Sequence, residues 1–187
     1  MRDQILMAAA EEMKNRGVKF TMSDLAKRLS LSKTSLYEHF SSKRELVHDI
    51  LFAAIQDTKQ QETEIYNSKE LSPLEKIKAL LEVSPRIFGP INNYSIYDDL
   101  CHYYPEEWKM VLGFIDKQSD RLALFVIHGI EVHAIRKVNV PVLKHLIASV
   151  IDAFLSQRFL EQNNMTNADA LAAMADIIVY GLNPSKK

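Results

Sequence analysis

The chain has 187 residues, with 23 Lys and Arg against 24 Asp and Glu, a net charge of −1. Hydrophobic residues make up 47% and charged residues 25%, the balance of a soluble globular protein long enough to bury its own core. That excludes a disulfide-framed miniprotein, a disordered tail and a collagen-like fibre. Cys101 is the single cysteine, so no internal disulfide can form, which fits a reducing compartment. Five Gly and six Pro leave few tight turns, so long helices are favoured over a hairpin-rich β fold. Arg2, Asp3, Glu11 and Glu12 surround a short apolar run, unlike a secretory signal, and no stretch is apolar enough to span a membrane. The expectation is a cytoplasmic all-α protein of about nine helices.

In chain order, the first helix runs from Arg2 to about Asn15, with Ile5, Leu6, Ala9 and Met13 at helical spacing and Gly17 as the stop. Thr21 and Asp24 form a start signal: a hydroxyl for an orphan amide and a carboxylate in the positive first turn. A short second helix buries Met22, Leu25, Ala26 and Leu29. Ser30-Leu31-Ser32 reads as a tight turn. Ser32 then caps a third helix, Lys33 to about His39, with Leu36 and Phe40 inward. Ser42 and Glu45 make a second capping box and open a long fourth helix with Leu46, Val47, Ile50, Leu51, Ala54 and Ile55 on its apolar side. Ser72-Pro73-Leu74-Glu75 opens another, and Pro85 and Gly89-Pro90 interrupt the pattern. Further helices are expected over Asn93–Tyr103, from Pro105 to about His128, over Pro141–Gln162, and from about Ala168 to Leu182.

Charge is unevenly spread. Between Lys14 and Arg44 there are eight basic and two acidic residues, so +6; the rest has 15 basic and 22 acidic, so −7. A solvated charged face and a nucleic-acid footprint both fit this. Two short helices joined by a three-residue turn are a helix-turn-helix pattern. Ala26 is small where the helices cross, and Leu25, Leu29, Leu31 and Leu36 fill the wedge. The exposed face of the third helix offers Lys33, Thr34, Ser35, Tyr37 and His39, groups suited to phosphates and base edges in a major groove. Lys27 and Arg28 read either as a solvated face or as direct contacts.

The run from Phe20 to Leu46 resembles the TetR family of transcriptional regulators. Leu25-Ala26, Ser32-Lys33, Leu36-Tyr37, His39-Phe40, Lys43 and Glu45-Leu46 carry the likeness, with Ile5-Leu6, Ala8-Ala9 and Gly17 in the first helix. The resemblance implies an all-α fold: a helix-turn-helix DNA-binding domain over residues 1–45 (motif 21–40) and a helical regulatory and dimerisation domain over 46–187. It implies a homodimer on a palindromic double-stranded DNA operator, a repressor released by a small molecule. By position it assigns Thr21, Lys33, Thr34, Ser35, Tyr37, His39 and Lys43 to DNA. Two positions depart from the family pattern. Ser30 stands where a turn Gly is common, at a cost of about 1 kcal/mol if left-handed, and Phe20 stands where Thr is common.

Tyr94, Tyr97, Cys101, His102, Trp108, Phe114 and His128 read either as core packing or as an aromatic-lined ligand pocket. Cys101 on its own reads as a small buried hydrophobe. His128 and His133 are five apart, the wrong spacing for one metal-binding helix face, and no Cys-x-x-Cys, Gly-x-Ser-x-Gly or phosphate-loop signature is present. Leu143, Ile147, Val150 and Phe154 in the penultimate helix, with Leu171, Ala175 and Ile178 in the last, form stripes wide enough for intramolecular burial or a four-helix dimer interface. Two other functional readings stand beside the ligand-responsive regulator. One is a helix-turn-helix regulator controlled by a protein partner; the other is a helical small-molecule enzyme.

Overall fold

The computed structural model describes residues 1–87, 96–155 and 158–184. Among them are ten α-helices, a short 3-10 turn at Gly17–Lys19 and no strand. The helices are α1 (Arg2–Arg16), α2 (Met22–Arg28), α3 (Lys33–His39), α4 (Lys43–Asn67), α5 (Pro73–Glu82), α6 (Ile96–Tyr103), α7 (Pro105–Glu131), α8 (Val140–Leu155), α9 (Arg158–Gln162) and α10 (Asn167–Leu182). The helix expected over 141–162 is described over Val140–Leu155 and Arg158–Gln162, and residues 156–157 lie outside the described residues. The expected start at Asn93 and the Gly89-Pro90 interruption lie outside the described residues.

Local capping explains most of these boundaries. Thr21–Asp24, Ser72–Glu75 and Thr166–Asp169 each make both halves of a capping box. At α4 the box is split. Ser42 Oγ accepts from the Glu45 amide at 3.1 Å, while the Glu45 carboxylate reaches past it to the Ser41 amide and hydroxyl at 2.8 and 2.6 Å.

The chain forms two compact units. One comprises Met1–Asp57 with Pro85–Val111, the other Thr58–Ser84 with Leu112–Lys187, so α4 and α7 each run through both. In the first unit Ile5, Met13, Leu25, Leu36, Phe40, Leu46 and Ile50 share one buried cluster with Ile96, Leu100 and Tyr104. The core of the three N-terminal helices is therefore completed by α6 and the residue that follows it. Leu36 and Phe40 are both fully buried, each contributing roughly 1.5–3 kcal/mol. Cys101 is exposed, against the expectation of a buried small hydrophobe. Helix α6 turns Ile96, Asp99 and Leu100 inward, and one residue further the helix has rotated about 100° away.

In the second unit α5 packs along α10. The buried residues are Ile77, Leu80 and Leu81 on α5 and Ala170, Leu171, Met174, Ala175 and Ile178 on α10. Arg136 closes the last turn of α10: its backbone N–H donates to the Leu182 carbonyl at 3.1 Å and its Nε to the Gly181 carbonyl. No described helix is long and apolar enough to cross a membrane.

Candidate nucleic-acid interface

The start of α2 is set by three bonds between two residues. Thr21 Oγ1 accepts from the Asp24 amide at 3.1 Å and donates to Asp24 Oδ2 at 2.6 Å, and the Thr21 amide donates to the same oxygen at 3.1 Å. The Thr21 hydroxyl, and then its amide, hold the Asp24 carboxyl below its ordinary 3.8. The turn after α2 is closed by Leu31 N donating to the Ala26 carbonyl at 2.9 Å and Ser30 N to the Lys27 carbonyl at 3.1 Å. Ser30 sits at φ 55, the left-handed residue that ends many helices. Ser32 then caps α3, accepting from the Ser35 amide at 3.0 Å.

These caps fix which face of α3 is presented. Leu36 is turned fully inward, while Lys33, Thr34 and Tyr37 are exposed, Tyr37 at 47%. Ser35 and His39 are half-buried, and the Ser32 hydroxyl donates to Ser35 Oγ at 3.0 Å. The structure thus places Lys33, Thr34 and Tyr37 together on one polar surface, with Ser35 and His39 flanking it. Thr21 is exposed, but its hydroxyl hydrogen is already engaged by Asp24.

Lys43 is placed differently. Its ammonium donates to the Val18 carbonyl, lies 4.6 Å from the centre of the Phe20 ring, and is lowered in pKa by burial. Other cations of the basic window are also held internally. Arg28 binds Glu11, and Glu12 at 2.6 Å; Arg16 lies 3.5 Å from Glu12, Lys19 3.4 Å from Asp99, and Arg44 3.1 Å from Glu107. Among the described residues Lys14, Lys27 and Lys33 make no ion pair. The unit that contains the window, Met1–Asp57 with Pro85–Val111, has 11 basic and 12 acidic residues, hence a net charge of −1. The pairings of Asp99 and Glu107 with this window leave no signal in local sequence.

Of the candidate pocket residues, Tyr97 and Trp108 pack together, ring centres 5.8 Å apart, and burial pushes the Tyr97 hydroxyl up to about 12. Cys101 and His102 face solvent, and His102 lies edge-on to Tyr103. Phe114 and His128 belong to the second unit, where His128 is exposed. Tyr94 lies outside the described residues. A shallow groove between α7 and α8, lined by Ser119, Leu122, Val126, Leu143, Lys144 and Ile147 among others, involves none of them. No cluster of metal-ligating side chains occurs among the described residues. Of the candidate dimer residues, Ile147, Phe154, Leu171, Ala175 and Ile178 are buried within the chain, and Leu143 and Val150 are half-buried. Among the described residues, the exposed large apolar side chains on these helices are Val142 and Leu146 on α8 and Ile177 and Tyr180 on α10.

A capped helix pair, a left-handed turn between them and a polar outward face on the second helix define a helix-turn-helix DNA-binding regulator. Residues 5–50 match the family model of bacterial regulatory proteins, tetR family. The uncharacterized HTH-type transcriptional regulator YvaF of Bacillus subtilis (strain 168) is 26% identical over 187 residues, covering 100% of this chain and 98% of that protein. The TetR family transcriptional regulator PfmR from Thermus thermophilus superposes with a TM-score of 0.69 at 25% identity, covering 97% of this chain and 100% of PfmR. AibR, solved in complex with isovaleryl coenzyme A and operator DNA, has the same fold, with a TM-score of 0.62 at 17% identity over 98% of each chain. Residues 5–50 thus carry the regulatory domain of the tetR family, and the chain is similar along its whole length to transcriptional regulators of that kind.

Proposed function

We propose that the protein acts in the cytoplasm as a homodimeric repressor. It binds a pseudo-palindromic duplex operator through residues 1–45 and is released when a small molecule binds within residues 46–187. The observation that carries this reading is the outward face of α3, where Lys33, Thr34 and Tyr37 are exposed above a fully buried Leu36. A lysine, a hydroxyl and a phenol on one helix face suit base edges and phosphates of a major groove. Thr21, Ser35 and His39 complete the contact set. Lys43 is a brace in the free protein and joins that set only by leaving the Val18 carbonyl.

Two-fold symmetry gives the reading a geometric form: recognition helices enter successive major grooves about 34–36 Å apart. The exposed apolar residues of α8 and α10 supply the self-complementary surface such a dimer needs. Release by a small molecule is supported by the AibR complex, a protein of the same fold solved with both isovaleryl coenzyme A and operator DNA.

The test is selection of binding sites from random duplex DNA, followed by a metabolite screen for release. A palindrome with half-sites about one helical turn apart is expected, together with loss of binding in a Lys33→Ala, Tyr37→Phe variant. Unchanged affinity of that variant would remove α3 as the reading element.

A further inference from the structure

In the second unit, α4 and α7 meet along a seam with three rungs. The Lys59 ammonium lies 5.9 Å from the centre of the Phe114 ring, Arg121 binds the Glu62 carboxylate, and the Tyr66 ring meets Phe125 edge-on with centres 5.6 Å apart. Residue numbers rise together on the two helices, so they run in the same direction. The middle rung is the polar one. Glu62 is 3% exposed, and its Oε2 accepts from Arg121 Nη2. Its second oxygen, Oε1, is sealed from solvent and accepts no hydrogen bond among the described residues. A buried carboxylate oxygen without a donor is costly, and buried ion pairs are normally completed by further hydrogen bonds.

We propose that Glu62 Oε1 anchors an uncharged small molecule that pairs a hydrogen-bond donor, a hydroxyl or an amide N–H, with an apolar or aromatic body. The inference rests on the reading that residues 46–187 take a small-molecule effector. The need for a donor follows because an ionised carboxylate only accepts. The need for neutrality follows because Glu62 and Arg121 already cancel, and a third buried charge has no partner there. Phe114, Phe125 and Tyr66, all half-buried, are the aromatic side chains of the adjoining rungs, which suits the apolar body. Of the residues singled out in the sequence for a ligand pocket, Phe114 is the one that belongs to this seam.

The full-length protein is titrated with three probes that share one ring and differ in their head group: benzyl alcohol, benzylamine and benzoate. Benzyl alcohol is expected to bind saturably, one per chain, and to raise the melting temperature, with benzylamine and benzoate at least tenfold weaker. The Glu62→Leu, Arg121→Leu double variant replaces the pair by apolar residues of similar volume. It is expected to bind benzyl alcohol at least tenfold more weakly and to lose the head-group preference. Equal binding of all three probes by the unaltered protein, no saturable binding of benzyl alcohol, or full binding by the double variant each overturns the proposal. The head-group series on the unaltered protein decides the matter even if the double variant does not fold. Operator release by metabolites is measured on both proteins. Release that survives in the double variant leaves the effector reading standing and removes Glu62 from it. A saturable benzyl alcohol site in a protein that no metabolite releases from DNA removes the effector reading and leaves the anchor.

Discussion

The ammonium of Lys43 lies 4.6 Å from the centre of the Phe20 ring and donates to the Val18 carbonyl. This pair ties the first residue of α4 to the 3-10 turn at Gly17–Lys19 and to the residue just before Thr21, the cap of α2. A cation over an aromatic face contributes about 0.5–1 kcal/mol at a partly exposed site, and a charge-assisted bond to a carbonyl adds to that. Phe20 stands where a phosphate-binding hydroxyl is common in the family, and the ring that replaces it holds Lys43 inward.

Lys43→Met and Lys33→Ala therefore separate a brace from a phosphate contact. Each neutralised phosphate adds about 0.9 to the dependence of log affinity on log salt. Lys33→Ala is expected to lower that slope by about 0.9 and leave thermal stability unchanged. Lys43→Met is expected to leave the slope unchanged and lower stability by about 1 kcal/mol. Operator binding across a salt series, with urea melts of the same proteins, reads both quantities. A slope lowered by Lys43→Met to the same extent as by Lys33→Ala sinks the assignment of Lys43 as a brace.

What was legible in the sequence follows from the range of the interactions. The boxes at Thr21 and Ser72 close over three residues, so type and spacing alone reveal them. The buried positions Leu25, Leu36 and Phe40 follow from helical period. The electrostatic footprint was legible only in part: acids flanking the window in sequence, Glu11 and Glu12 among them, pair with Arg16 and Arg28, whereas Asp99 and Glu107 are brought to Lys19 and Arg44 only by the fold. Periodicity also finds the most apolar face of α8 and α10, where Ile147 and Ile178 are buried within the chain. Burial within one chain and burial against a second copy leave the same periodic signal, so spacing alone does not separate them.

Ser30 bears a backbone conformation that favours glycine, at φ 55. Ser30→Gly removes a left-handed penalty of about 1 kcal/mol, partly offset by about 0.5 kcal/mol of extra freedom in the unfolded chain. The expected outcome is a net stabilisation of about 0.5 kcal/mol in urea unfolding with operator affinity within twofold of the original. A destabilised Ser30→Gly protein contradicts the left-handed assignment.

Acid sensitivity follows from the caps. Hydroxyl and then amide donors from Thr21, Ser41, Ser72 and Thr166 hold the carboxyls of Asp24, Glu45, Glu75 and Asp169 below their ordinary 3.8 for Asp and 4.5 for Glu. Between the lowered folded values and those ordinary values, the unfolded chain binds more protons, so stability rises with pH across that window. The contribution is complete above the ordinary values and is lost as pH falls through the folded ones. Thr166→Val is expected to return Asp169 toward 3.8 and to remove its share of this acid dependence. Carboxyl ¹³C titration reads the shift directly, and an Asp169 that titrates identically in both proteins refutes the cap's role.

The exposed residues of α8 and α10 allow dimerisation to be separated from folding. Ile177 is 74% exposed and Leu146 48%, whereas their neighbours Ile178 and Ile147 are 6% and 5% exposed. An arginine at an exposed position changes the stability of a single chain by no more than about 0.5 kcal/mol, but an arginine inside a two-fold contact meets its own copy across the axis. Ile177→Arg and Leu146→Arg are therefore expected to give folded monomers with weakened operator binding, since each monomer then holds only one half-site. Ile178→Arg and Ile147→Arg place an unpaired charge in the core and are expected to unfold the chain. Sedimentation velocity with far-ultraviolet circular dichroism on the four variants distinguishes these outcomes. A dimer that persists in Ile177→Arg and Leu146→Arg places the self-association surface on other helices.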